Sequence, residues 1–431
     1  MKIQEIQNER LGEKIFKIDH RSGLTIYVCP KEGYQSTYAI FGTQYGSIDT
    51  KFRRKGEKEW TTVPEGIAHY LEHKLFESED GDAFARYAKT GASANAYTSF
   101  DQTCYLFSCT ENFDQSLEIL LDFVQSPYFT EETVRKEQGI IGQEIRMIED
   151  DPNWQVYANL LKGLYRSHPA RIPVAGSVES IAGITAEMLY DCHRAFYDPA
   201  NMALCVVGDV DPEEILRIAN EVLPAGAHPR IERDYGAEEN ETAAAPAVET
   251  AMEVSLPLFL CGYKCDGVPD GEENLRQELI GNMACDILFG ESSPLYNRLY
   301  TEGLINGEFG GGYELLPGIS FVVTGGESKS PRKVHLAIME EAERLNREGV
   351  SDQLWQQIRR ATSGGLLRGL NSFESIAVGV VESAFRGYDY FRFPEIFASI
   401  EKVDVEQFIS ENITPDRATI SMIHPKQKSE A

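Results

Sequence analysis

No stretch of this 431-residue chain approaches the ~20 consecutive apolar residues of a bilayer-spanning helix. Its opening, MKIQEIQNERLGEKIF, has no apolar core of signal-peptide length. Both absences point to the cytoplasm and away from a membrane. Basic residues are scarce, 41 Lys and Arg against 68 Asp and Glu, and the resulting charge of −27 repels phosphate. Broad contact with nucleic acid or an anionic membrane is therefore not expected. Cysteine is sparse and scattered, at Cys29, Cys104, Cys109, Cys192, Cys205, Cys261, Cys265 and Cys285, mostly inside apolar runs such as MALCVVG. Buried reduced thiols account for that pattern. Cys261 and Cys265 lack the second pair that a zinc site needs and read as part of a strand.

What is present is an ordinary globular composition, 42% hydrophobic and 25% charged, in a chain long enough for two cores. A polar, Ala-rich stretch, AEENETAAAPAVETA, falls near the middle and reads as a flexible connection. The expected division is 1–235, a linker at 236–252, and 253–431. The halves repeat one another at an offset of about 220 residues. TYAIFGTQYGSID, the helix PEGIAHYLEHKLFE, TCYLFSC and two further helices are matched by PLFLCGYKC, LRQELIGNMACDILFG, ISFVVTGG and two helices. Each half then closes with a helix and an apolar strand. The fold class is α+β: two homologous domains, each a mixed or antiparallel sheet with helices packed on one face.

With only eight histidines in the chain, HYLEH is conspicuous. Thr62 and Glu65 form a capping-box pattern with Pro64 in the first turn, so a helix is expected to begin just before the histidines. Four residues apart, His69 and His73 then share one side of the helix and can share one ion. Glu72 lies on that side, placed to act as a general base on water. A third ligand is sought downstream, where Glu137 and Glu144 stand two helical turns apart. Gly139 and Gly142 lie between them, and the helix propensity they sacrifice suggests close approach of the histidine helix. Spacing does not decide which Glu binds, and Glu77 and Glu79 compete. The bland alternative is a hydrogen-bonded histidine pair beside a solvated acidic face. The segment GASANAYTSFDQTCYLFSC alternates like a strand and reads as an edge. The run Gly310, Gly311, Gly312 lacks phosphate-loop spacing and reads as a bend.

HYLEH followed by Glu137 and Glu144 resembles the pitrilysin/insulinase family of inverted zinc peptidases, in its bacterial YmfH-like branch. The likeness spans the whole chain. It implies a clamshell of two homologous halves with Zn2+ in the first, held by His69, His73 and Glu144. It also implies Glu72 as base, Glu137 as a supporting acid, and Asn95, Ala96 and Tyr97 as substrate-binding residues. Strand addition is the physical form that such binding takes. The function implied is a metalloendopeptidase acting on peptides or small unfolded polypeptides in an enclosed chamber. The chain departs from the pattern in its second half. Where the family carries an Arg and a Tyr that reach the substrate carbonyl, LYNRLYTEGLINGEFG offers Tyr300 and, across a one-residue deletion, Asn306 or a neighbour, with Arg298 nearby as a substitute. That departure implies a dimer, homo- or hetero-, in which a related partner chain supplies the missing donors. The rival reading is a catalytically silent scaffold or maturation-complex subunit that binds peptides.

Overall fold

The computed structural model describes residues 2–79, 81–226 and 230–426. In chain order its first half contributes β1 (Ile3–Asn8), β2 (Glu13–Asp19), β3 (Thr25–Pro30), β4 (Thr37–Thr43), α1 (Ile67–Leu75), β5 (Ser93–Thr98) and β6 (Thr103–Cys109). There follow α2 (Phe113–Gln125), α3 (Glu131–Glu149), α4 (Pro152–Leu164), α5 (Ala186–Phe196) and β7 (Met202–Gly208). The second half contributes β8 (Ala247–Met252), β9 (Leu258–Cys265), α6 (Glu272–Phe289), β10 (Gly310–Leu316) and β11 (Ile319–Glu327). It ends with α7 (Pro331–Glu348), α8 (Asp352–Gly369), α9 (Phe373–Phe385), α10 (Lys402–Asn412) and β12 (Ala418–Pro425). Among the described residues no helix is long and apolar enough to cross a membrane.

Two mixed sheets result. The first runs β1-β2-β3-β7-β4-β6-β5, the second β8-β12-β9-β11-β10. Each has one parallel pair, β3 with β7 and β8 with β12, and is otherwise antiparallel. The order β3-β7-β4-β6-β5 is thus repeated as β8-β12-β9-β11-β10, which bears out the duplication. All eight cysteines are buried and free.

The compact units depart from a division at residue 236. One comprises the chain through Ile145, then Ile172–Tyr235 and Arg368–Arg392; the other takes Arg146–Arg171, Gly236–Leu367 and the chain from Phe393 onward. Each unit therefore includes one helix from the opposite half of the sequence, α9 in the first and α4 in the second. The reason is steric and local. On β4, Gly42 leaves room for α9, since a Cβ there would lie 2.9 Å from Val381 Cγ1. On the equivalent strand β9, Gly262 makes the same room for α4, its Cβ falling 2.8 Å from Leu160 Cδ1. Strand alternation decides the faces. Ile40, Cys104, Cys205 and Val207 meet Ile376, Val380 and Val381 of α9, whereas Tyr105 on the other face packs against Phe123 of α2. Helices thus cover both faces of the first sheet, which corrects the one-face expectation.

The stretch expected to be a flexible connection is held along its length. Glu239 accepts from Lys264 Nζ at 2.8 Å and from the backbone N–H groups of Arg166, Ser167 and His168. Burial pushes the Glu239 carboxyl up, but these donors outweigh it and bring it down to about 2. Ala243, Ala244 and Ala245 donate to Asp416, Leu164 and Gly163, and β8 then pairs with β12. Composition read this segment as loose because its hydrogen-bond partners lie far away in sequence. Gly310, Gly311 and Gly312 do not bend the chain: they open the edge strand β10. There a Cβ on Gly311 would strike Val323 O.

Candidate metal centre

The helix that carries the histidines begins just before them, as expected, but its cap is not the Thr62–Glu65 pattern. Thr61 and Thr62 form a short strand paired with Phe52 and Lys51, and the N-cap of α1 is Gly66, at φ +85. A side chain there would collide with Ala175 O at 2.3 Å, so glycine lets the 173–176 turn abut the start of the helix. Ile67, Ala68, Tyr70, Leu71 and Leu75 anchor α1 in the core. The Tyr70 hydroxyl donates to Val134 O of α3, fixing the two helices side by side.

On that seat four titratable side chains converge. His69 Nε2 lies 3.6 Å from Glu144 Oε1, and His73 Nε2 lies 3.5 Å from Glu144 Oε2. The imidazole centroids are 4.6 Å apart. One ligand atom from each of His69, His73 and Glu144 falls within 4.8 Å of the others. Donor atoms about 2.0–2.2 Å from a tetrahedral zinc sit about 3.3–3.5 Å from one another, so the spacing and the two-imidazole, one-carboxylate donor set suit that ion. Glu137 Oε1 is 3.1 Å from His73 Nδ1, which places the ring proton on Nδ1 and leaves the Nε2 lone pair facing Glu144.

The electrostatics follow from this packing. Burial pulls His73 down, but its hydrogen bond to Glu137 and the charges of Glu72, Glu144 and Glu137 outweigh it, and the ring is raised. The bond to His73 holds Glu137 below the ordinary carboxylate range against burial. The His69 ring does the same for Glu144. Of the competing acids, Glu77 pairs with the fully buried Lys74, and Glu79 is exposed. Gly139 and Gly142 are not contact points: a Cβ on either meets nothing within 4 Å, so close helix approach is not why they are glycine.

Glu72 is 9% exposed and is gripped from the sheet, Thr98 Oγ1 donating to its Oε2 at 2.9 Å. Sequence reasoning missed Thr98. The only signal was strand alternation, which puts it on the face opposite Tyr97. Asn95, Ala96 and Tyr97 lie on β5, the terminal strand of the first sheet. Asn95 is exposed, and its Oδ1 accepts from Ala96 N at 2.9 Å. The Tyr97 side chain turns inward against the α9-covered core, leaving its backbone on the edge. In the other unit, Tyr300 is exposed and stacks on Tyr296 at 6.0 Å, and Asn306 Nδ2 reaches Glu327 Oε2 at 3.4 Å.

The chain resembles known proteins in both sequence and fold. Residues 61–178 match the model for insulinase, peptidase family M16, and residues 183–362 match that for the peptidase M16 inactive domain. The chain is 42% identical to the uncharacterized zinc protease YmfH of Bacillus subtilis (strain 168), over 98% of this chain and 100% of that protein. An M16-like peptidase from Alicyclobacillus acidocaldarius superposes with a TM-score of 0.93 at 33% identity, covering 98% of this chain and 100% of that one. A protease from Helicobacter pylori shares the fold, with a TM-score of 0.82 at 20% identity over 96% of this chain and 100% of its own.

Proposed function

Because the chain belongs to the insulinase family of peptidases, M16, in the branch of YmfH, we propose that it is a zinc-dependent metalloendopeptidase of the cytoplasm. Its substrates are peptides or small unfolded polypeptides. The observation that carries the reading is the convergence of His69, His73 and Glu144 beside an independently held Glu72. His69, His73 and Glu144 would hold the zinc. When bound there, it polarises the scissile carbonyl and acidifies the attacking water.

The remaining work falls to this chain's own groups. Glu72, with one oxygen engaged by Thr98, offers the other to the water proton and later returns a proton to the leaving amine. Glu137 keeps His73 in one tautomer and one orientation. The free edge of β5 at Asn95, Ala96 and Tyr97 takes the substrate backbone as an added strand, so recognition follows extended conformation more than side-chain identity. By the family resemblance, Tyr300 and Asn306 or a neighbour take the places of an Arg and a Tyr. In this reading a related chain, in a homo- or heterodimer, supplies those donors and helps enclose the substrate.

Zinc content and cleavage of a quenched peptide library, wild type against Glu72→Gln, test the reading. The expected result is hydrolysis abolished in the variant with zinc retained, and wild-type activity raised by a related partner chain. A wild type that binds zinc and peptides yet cleaves nothing, with or without such a partner, would establish the silent scaffold instead.

A further inference from the structure

We infer that Thr98 is a positioning residue for the reaction: its hydroxyl fixes the plane of the Glu72 carboxylate and commits Oε1 to the water. The inference rests on the reading of Glu72 as general base. Among the described residues no other group hydrogen-bonds that carboxylate. A glutamate end group rotates broadly about its last torsion. At this site it is one of three carboxylates, with Glu137 and Glu144, whose charges act on the His73 ring. A charge-assisted hydrogen bond to one oxygen opposes that rotation, and it leaves the second oxygen as the proton acceptor.

Thr98 is suited to this because it is itself immobile. It forms the last pair of the β5–β6 hairpin, opposite Thr103. Ser99 N donates to Gln102 O at 2.8 Å, and Ser99 Oγ donates to Asp101 Oδ1 at 3.1 Å, closing the turn beyond it. The 45–49 loop braces the turn from outside, with Ser47 N and Ile48 N donating to Ser99 O and Phe100 O. Beneath lies the fully buried Thr103, whose hydroxyl donates to Tyr45 O at 2.9 Å and is 3.4 Å from Thr98 Oγ1. The base is therefore aimed from a rigid strand, not from its own helix, which is how a catalytic group is held to sub-ångström precision.

The test uses the full chain with zinc, and Thr98→Val, which keeps the branched shape and removes the hydroxyl, beside Thr98→Ser, which keeps the hydroxyl. Displacing a reacting group by about 1 Å is worth on the order of 100-fold. The expected result for Thr98→Val is kcat lower by roughly 10- to 100-fold, with KM within about twofold and zinc content unchanged; Thr98→Ser restores most of kcat. Should Thr98→Val fold poorly, Thr98→Ala paired with Thr98→Ser asks the same question.

Three results would overturn the inference: kcat near wild type in the hydroxyl-less variant, loss of zinc in step with activity, or a serine variant as impaired as the valine one. A wild type inactive throughout would instead overturn the assignment of Glu72. The loss of activity in Glu72→Gln but not in Thr98→Val would sink the role of Thr98 alone.

Discussion

Shortening Ile376 to alanine should loosen a sheet encoded more than 150 residues upstream of it. Ile376 is fully buried on α9 against Ile40, Cys104, Cys205 and Val207. Removing a buried isoleucine side chain costs about 2–5 kcal/mol, more where the surroundings cannot collapse into the space. Here they are tightly set, because Gly42 already admits the neighbouring Val381 with no room for a methyl group. A loss of about 3 kcal/mol is therefore reasonable, which amounts to on the order of 100-fold faster amide exchange through opening of that unit. Native-state hydrogen exchange read by mass spectrometry resolves the two sheets peptide by peptide. Ile376→Ala should accelerate β4 and β7 while leaving β9 and β12 near wild type. Leu160→Ala on α4 should do the reverse, since Leu160 packs on Gly262. If Ile376→Ala loosened 258–265 and 418–425 and spared 37–43, the assignment of α9 to the first sheet would be wrong.

Glu137→Gln should weaken zinc affinity by roughly 10- to 100-fold, measured by competition with a chelating dye, because the His73 ring loses the carboxylate that orients it; unchanged affinity would contradict that role. Burial holds His193 down at about 4, despite its bond to Val124 O, while an unfolded histidine titrates near 6.5. The unfolded chain thus takes up this proton first, and the stabilising difference is complete above pH 6.5 and lost as pH falls toward 4. At pH 5 that loss is about 2 kcal/mol, so wild type and His193→Asn should differ by that much less at pH 5 than at pH 8 in urea unfolding; parallel curves would refute it. Gly139→Ala and Gly142→Ala should each stabilise α3 by up to ~1 kcal/mol, since a Cβ there meets open space, and a fall in thermal midpoint would show that the glycines serve a motion the structure does not display.

The site was largely legible because its spacing is helical. His69, Glu72 and His73 fall on one turn, Glu137 and Glu144 two turns apart, and helical geometry alone brings such sets to one side. The repeat was legible too, since each strand carries its own apolar pattern. What stayed hidden was long-range choice. The apolar stripes of α4 and α9 announce a buried face but not which sheet buries it, and that choice is made by Gly42 and Gly262, each unremarkable in its own strand. The cap of α1 is not legible locally, because Thr62 and Glu65 satisfy a cap pattern that pairing with the 51–54 strand overrides. Likewise, an Ala-rich composition describes 236–252 well and says nothing of Lys264, whose ammonium fixes Glu239.

The trading of α4 and α9 has a consequence for birth on the ribosome. When β7 emerges, every strand of the first sheet has been made, yet the helix that seals one of its faces ends roughly 180 residues further along the chain. At about 5–20 residues per second, that greasy surface stays bare for on the order of 10–35 s. Nascent chains paused in this window should be prime clients for holdase chaperones, and translation speed over 209–385 should govern how much of the protein survives to maturity.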